Sequence, residues 1–436
     1  MKFAHEFKEV LDREGFPDHW LAAAIPYSQL KKCLKKVQRE LEGLGLDRDT
    51  LQQLLAEQTL SPDGEPIPLA RYNLDHASSQ SLRPRLSVFV HLQHGQVIDA
   101  ALSPASRAFL QRLSGRQPCS PALSATRPDP GPFSPEELER IEVPLVFDGE
   151  FFNILQTDVD SLDTLLQQEE RSMETDIKSL GDEVSTVVRP PKALSKSDLN
   201  RWREIFDLYV NAQVFFSSHE LDHGSRSSAK AVQQLVWFQK EVQERGLLDK
   251  FKMPSSRRAY TRFLQLNATL LQNLKFQELN KTAITKILKK FDKRTSLGAS
   301  VSFRSAVRSQ RFLAGNVAKK LCAQLSQEVV SVVPRAEDYD CPICFSIAWY
   351  PVRLKCSHLF CVRCVIKMQR ENKKSCPLCR EEVVMDADLS NIDKNLERFM
   401  RQYFRKETDE KQKANEIERG MEIFGDQYKH SSCLVM

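Results

Sequence analysis

Residues 341–379 read CPICFSIAWYPVRLKCSHLFCVRCVIKMQRENKKSCPLC. The stretch holds eight residues able to ligate a metal: Cys341, Cys344, Cys356, His358, Cys361, Cys364, Cys376 and Cys379. Their spacing is C-x2-C-x11-C-x-H-x2-C-x2-C-x11-C-x2-C. A lone CxxC also fits a redox pair, but three CxxC pairs and one CxH pair in about forty residues form a metal-site pattern. Each pair can present two ligands to one tetrahedral Zn²⁺ from a short loop, so four pairs hold two ions. A segment this short cannot bury enough apolar surface to hold a fold. Two structural zincs, each with an apparent binding free energy of roughly 10–16 kcal/mol, replace most of that core. The alternative is a disulfide cluster. Against it, seven cysteines is an odd number, the one histidine falls at a ligand position, and the N-terminal MKFAHEFKEVL lacks the apolar stretch of a secretory signal.

The remaining composition is that of a globular protein. The 436 residues are 41% hydrophobic and 28% charged, with a formal net charge of +5. That balance is too small to imply nucleic acid, so the placement of charge matters more than its sum. No apolar run approaches twenty residues, so no membrane-spanning helix is expected. The other four cysteines, Cys33, Cys119, Cys322 and Cys433, are scattered, as in a reducing compartment.

Hydrophobic spacing predicts a mainly helical chain. Residues 1–43 read as helix, with Tyr27, Leu30, Leu34, Val37 and Leu41 on one stripe and Pro26 suited to a first turn. An insertion follows at about 45–150. Its Pro and Ser clusters at 61–68 and 117–136 read as loosely ordered, with a small hairpin pairing Leu86–Val90 with Gln96–Ala101 around His94-Gly95. Further helices are expected at about 150–185, 197–218, 229–247, 256–293, 303–330 and 390–420, with Pro190-Pro191 and Pro254 as breaks. Long helices with apolar stripes that must cover one another imply a helical bundle.

One of these helices carries an unusual face. In TKILKKFDKR (285–294), Lys286, Lys289, Lys290 and Lys293 recur at i, i+3, i+4 and i+7. Ile284, Ile287, Leu288 and Phe291 repeat that spacing two residues earlier, about 200° around the helix. At an effective dielectric near 20, two charges ~7 Å apart cost about 2 kcal/mol before screening. A bound polyanion reverses that sign; an ordinary solvated face is the other reading. Tyr27 and Lys31, at i and i+4, share one face, and a phenol and an ammonium there can reach one phosphate group.

Together MKFAHEF, IPYSQLKK and LNKTAITKILKKFDKR (279–294) resemble the SPX domain, and the cysteine array resembles the RING finger. The chain is thereby similar to the SPX-RING ubiquitin ligases of fungi and plants. The resemblance implies an SPX helical bundle with a long helical hairpin over 1–298, a helical linker at 299–336, a ββα RING at 337–385 and a charged helix and tail at 386–436. It implies an inositol polyphosphate or pyrophosphate ligand, reporting phosphate status, held by Tyr27, Lys31, Lys286, Lys289, Lys290 and Lys293, with Lys2 nearby. It also implies that Cys341, Cys344, Cys361 and Cys364 share one zinc and that Cys356, His358, Cys376 and Cys379 share the other. A RING ligase has no nucleophile of its own. It docks a ubiquitin-charged conjugating enzyme and orients the thioester for transfer to a protein substrate. By the same resemblance, Ile343, Pro377 and Leu378 form the docking groove, Met368 stands where many RING fingers carry tryptophan, and Arg380 bridges ubiquitin and the conjugating enzyme. The rival expectation is a non-catalytic SPX scaffold with a structural zinc module.

Two other motifs compete for attention. His219-Glu220-Leu221-Asp222-His223 matches the HExxH of zinc proteases, but Gly224 and a Ser/Arg run follow at once and the extended pattern is missing. Cys433-Leu434-Val435-Met436 fits a farnesylation signal, although chance matches occur. One farnesyl chain anchors weakly, so the expected location is cytoplasmic with reversible membrane visits, which would suit a transporter or another phosphate-pathway protein as substrate.

Overall fold

The computed structural model describes residues 2–60, 66–76, 82–93, 96–97, 102, 104–114, 137–189, 198–217, 224–306 and 316–425. The chain divides into two compact units. One comprises Met1–Thr175, Phe215–Val232 and Leu266–Ala323; the other comprises Asp176–Val214, Gln233–Gln265 and Gln324–Met436.

In the first unit the expected helix over 1–43 is three: α1 (Lys2–Arg13), α2 (Asp18–Ala23) and α3 (Tyr27–Gly43). Gly15 takes a left-handed turn (φ 65°) after α1, a conformation glycine adopts without a Cβ penalty. Pro17 and Pro26 then precede α2 and α3 as N-caps. Next comes α4 (Arg48–Ala56), whose Thr50 N–H donates to the Asp47 carboxylate at 3.3 Å.

The described part of the insertion is ordered, while most of its Pro and Ser clusters, 61–65 and 117–136, lie outside the described residues. It contains β1 (Gln58–Leu60), β2 (Pro66–Pro68), β3 (Ala70–His76), β4 (Leu82–Gln93), β5 (Gln96–Val97), α5 (Pro104–Ser114) and β6 (Glu137–Val143). The expected hairpin is not the main pairing. Leu86 to Val90 lie opposite Val143 to Glu139 of β6, and β3 pairs with β4 from Ala70↔Val88 to His76↔Leu82. Among the described residues, Gln96 and Val97 pair back, with Gln93 and Leu92; His94-Gly95 and 98–101 of the expected hairpin lie outside them. The reason is burial. Leu86, Val88 and Val90 alternate onto an inner face and join one apolar cluster with Phe151, Phe152, Leu155, Ile287 and Phe291. Tyr72 packs on Phe152 and Phe291, both at 6.4 Å between ring centroids, and its hydroxyl donates to Asp148 at 3.1 Å.

The long helices follow: α6 (Phe147–Val188), α7 (Leu199–Ala212), then β7 (Phe216–Ser217) and β8 (Gly224–Ser225), α8 (Ser228–Glu244), α9 (Pro254–Thr295), α10 (Ala299–Ala306) and α11 (Asn316–Leu325). The expected break at Pro190-Pro191 falls outside the described residues. A π-helical turn at Ser326–Val330 brings the Glu328 carbonyl so close to α6 that a Cβ on Gly181 would collide with it. In the second unit Trp202, Phe206, Tyr209, Phe238 and Phe263 form a ladder of ring contacts between 4.9 and 5.6 Å.

The zinc-ligand segment lies in this second unit as β9 (Pro351–Arg353), β10 (Leu359–Cys361) and α12 (Val362–Arg370), followed by α13 (Lys394–Tyr403) and α14 (Arg405–Phe424). A single helix over 390–420 is interrupted at Phe404. This ring is fully buried, 5.4 Å from Tyr339, and covered by the Arg203 guanidinium at 4.2 Å. Arg203 also donates to the carbonyls of Pro334 and Tyr403, each at 2.8 Å.

Asp198, 1% exposed, joins the starts of α7 and α9. Its carboxylate accepts from the Lys252 and Met253 N–H groups at 2.8 and 3.0 Å and from the Ser256 hydroxyl at 2.6 Å. Asp198→Ala strands these donors and is expected to lower stability by about 3 kcal/mol, read as a fall in the denaturant midpoint. An unchanged midpoint would show that the junction is held by other contacts.

Candidate functional site

The eight ligand residues fall into two interleaved groups. Cys341, Cys344, Cys361 and Cys364 form one, and Cys356, His358, Cys376 and Cys379 the other; within each, all ligand atoms lie within 4.8 Å of one another. A tetrahedral Zn²⁺ with ~2.3 Å bonds to sulfur sets neighbouring sulfurs about 3.8 Å apart. Cys344 and Cys361 stand at 3.6 Å, and His358 Nδ1 lies 3.3 Å from Cys356 Sγ and 3.6 Å from Cys376 Sγ. These separations far exceed a disulfide bond of about 2.05 Å, and the cysteines are free. The donor sets, four thiols and three thiols with one imidazole, suit two structural zincs.

Charge makes the same point. Hydrogen bonds from Cys361 and Cys364 hold the Cys341 thiol far below its usual range, while their bonds to Cys341 push Cys361 up strongly and Cys364 to about 12. Without a cation, one thiolate forms at its neighbours' expense. A dication allows all four.

Two matching knuckles present the ligands. In CPIC, the Phe345 N–H donates to the Cys341 carbonyl (2.9 Å) and the Cys341 N–H to the Ser346 carbonyl (2.8 Å). In CPLC, the Arg380 N–H donates to the Cys376 carbonyl (2.8 Å) and the Cys376 N–H to the Glu381 carbonyl (2.8 Å). Phe345 and Arg380 both take the left-handed conformation, at φ 50° and 66°. Between the ligands Ile343 and Leu378 are exposed, at 37% and 53%, and Pro377 is exposed too. Arg380 is exposed and makes no side-chain hydrogen bond or ion pair among the described residues. Phe345, 83% exposed, adds apolar surface that the ligand spacing did not flag.

Met368 is buried. It is 5% exposed and belongs to the core cluster of the zinc segment with Val352, Leu354, Phe360 and Val365. On α12, Cys364, Val365 and Met368 share the inner face, and the side chain turns with them. It packs in that core and exposes little surface.

The basic residues converge in the first unit. On α9 Ile284, Ile287, Leu288 and Phe291 are buried, which turns the lysine face outward. Lys290 is pushed below its ordinary value by burial and then by the charges of Lys31, Arg294 and Lys35. Lys286 lies 3.9 Å over the ring of Phe3, which contacts Tyr27 edge-on at 4.9 Å. Burial raises the Tyr27 phenol above its usual value. Among the described residues, Lys31, Lys35, Lys289, Lys290, Lys293 and Arg294 form no ion pair. Lys289 and Lys293 are exposed on the same helix. Lys35 and Arg294 were missed by the sequence reading, although each stands one turn beyond a named partner, Lys31 or Lys290. The Lys2 side chain, the 219–223 HExxH and Cys433 lie outside the described residues. Among those described, no helix is long and apolar enough to cross a membrane.

Comparison with known proteins agrees with this anatomy. A family model for the SPX domain matches residues 1–307, and one for the C3HC4-type zinc finger, the RING finger, matches 341–379. The chain is 32% identical to "Transcriptional regulator of yeast form adherence 3" of Candida albicans over 100% of both chains. It is 34% identical to an uncharacterised RING finger protein of Schizosaccharomyces pombe over 95% of this chain and 96% of that one. Human E3 ubiquitin-protein ligase RNF125 is 40% identical over 42 residues, covering 10% of this chain and 18% of the relative. No solved structure matches. With an SPX domain across most of its length and a C3HC4 finger behind it, the chain belongs to the SPX-RING family.

Proposed function

We propose that this protein is a RING-type E3 ubiquitin ligase whose SPX domain binds an inositol polyphosphate or pyrophosphate. The observation that carries the first half is the paired knuckle. The two zinc loops hold Ile343 and Leu378 as exposed apolar residues beside an unpaired, left-handed Arg380. An apolar groove with a free guanidinium suits docking of a conjugating enzyme and a grip on ubiquitin carbonyls. No thiol of the finger is free to act as a nucleophile once zinc is bound, so the residues would work by orientation. The short match to RNF125, named as an E3 ubiquitin-protein ligase, supports the same reading.

Ile343→Ala with Arg380→Ala is expected to cut ubiquitin-chain formation with a purified conjugating enzyme at least ~10-fold while zinc content stays unchanged. Full activity in the double variant would leave a scaffold with a structural zinc module as the better account.

The second half rests on the unpaired cations. Lys31, Lys35, Lys290 and Arg294 repel one another without a counter-ion, and a polyanion turns that repulsion into attraction. Charge-assisted contacts are worth about 1.5–3 kcal/mol each. Lys31→Ala with Lys290→Ala should therefore weaken inositol hexakisphosphate binding at least ~10-fold by calorimetry, and added salt should weaken the wild-type affinity. Equal affinity in variant and wild type would end the ligand assignment. In this reading, ligand occupancy ties ubiquitin transfer to phosphate status, with a phosphate-pathway protein as substrate.

The reading also puts the protein in the cytoplasm, with a farnesyl group on Cys433 for reversible membrane contact. Cys433→Ser should abolish incorporation of a labelled farnesyl; undiminished labelling would remove the assignment.

A further inference from the structure

One face of α14 lies on the zinc finger. Lys411, Asn415, Glu418 and Glu422, at i, i+4, i+7 and i+11, all contact it. The Lys411 ammonium donates to Cys344 Sγ at 3.3 Å, its only hydrogen bond among the described residues. Arg363, between the ligands Cys361 and Cys364, donates to the Asn415 carbonyl at 3.0 Å and to Glu422 at 2.5 Å. Lys367 pairs with Glu418. The helix thus meets both ligand pairs of the first zinc group.

The two groups differ in this respect. Four thiolates around one Zn²⁺ leave two net negative charges; three thiolates and an imidazole leave one. The more negative group is the one that receives an ammonium. No lysine or arginine hydrogen-bonds a ligand of the second group among the described residues, and its neighbour Lys355 pairs with Asp386 at 2.8 Å.

We propose that Lys411 is a positioning residue for the first zinc, offsetting the charge on Cys344 and holding that ligand in place, so that retention of this one metal ion depends on α14. The proposal rests on the two-zinc reading above. Partners that hydrogen-bond metal ligands from outside usually contribute 10–100-fold in affinity, roughly.

The test uses the full chain and a chromogenic chelator. Wild type should carry two zincs, and Lys411→Met should release one of them ~10-fold faster while the other leaves at the wild-type rate. Lys411→Arg should restore slow release, and Lys413→Met, an exposed neighbour on the same helix, should match wild type. With Co²⁺ in place of zinc, the visible bands of the four-sulfur site should fade first in Lys411→Met. Identical release in Lys411→Met and wild type overturns the proposal. So does joint loss of both ions with a fall in helical circular dichroism, which marks general unfolding. Fewer than two zincs in wild type removes the two-zinc reading itself, a result distinct from either.

Discussion

Four sulfur ligands within 4.8 Å of one another repel as thiolates and stand too far apart for disulfides. A dication resolves both conditions, and the surrounding finger is arranged around that fact. Its apolar cluster takes in the ligands Cys341, Cys361, Cys364 and Cys376, with Val352, Leu354, Phe360, Val365, Met368 and Val384 packed among them. The interleaving makes each ion tie a loop to a distant one: Cys341 to Cys364, Cys356 to Cys379. Each knuckle then sets its following residue in a left-handed conformation. Ile343, Leu378 and Arg380 are carried on these turns, outside the finger's helix and strands.

The same physics with opposite sign governs the SPX domain. Buried aromatic and aliphatic residues on α9 fix which way the helix faces, and the lysines have no other direction to go. Nothing acidic meets them among the described residues, whereas Lys36, one turn beyond Lys32 on α3, has Glu150 at 3.4 Å. The contrast is between a charge with an acidic neighbour and a cluster of like charges without one.

The ligand array and the lysine stripe were legible in the sequence because both are spacing effects within one or two turns of chain. Long helices were legible for the same reason, as α6 and α9 show. The sheet was not. Leu86, Val88 and Val90 announce a strand, but their partner at 139–143 lies across about fifty residues of Pro- and Ser-rich sequence, and no local pattern reports that distance. Met368 is a different case: its place on the helix is readable from spacing, but its burial beside Phe360 and Val365 depends on how α12 faces the finger's core. The stop at Phe404 needed knowledge of Tyr339 and Arg203, both remote in sequence.

Arg203 has a topological consequence. Its guanidinium grips Pro334 shortly before the finger and Tyr403 at the end of α13 beyond it. The intervening chain is a closed ring with a single neck, much as a crosslink would make it. Hydrogen bonds to both flanks from one side chain restrain swivelling more than a single tether does. The finger is accordingly mounted on α7 like a plate on a bracket, and its orientation is inherited from that helix.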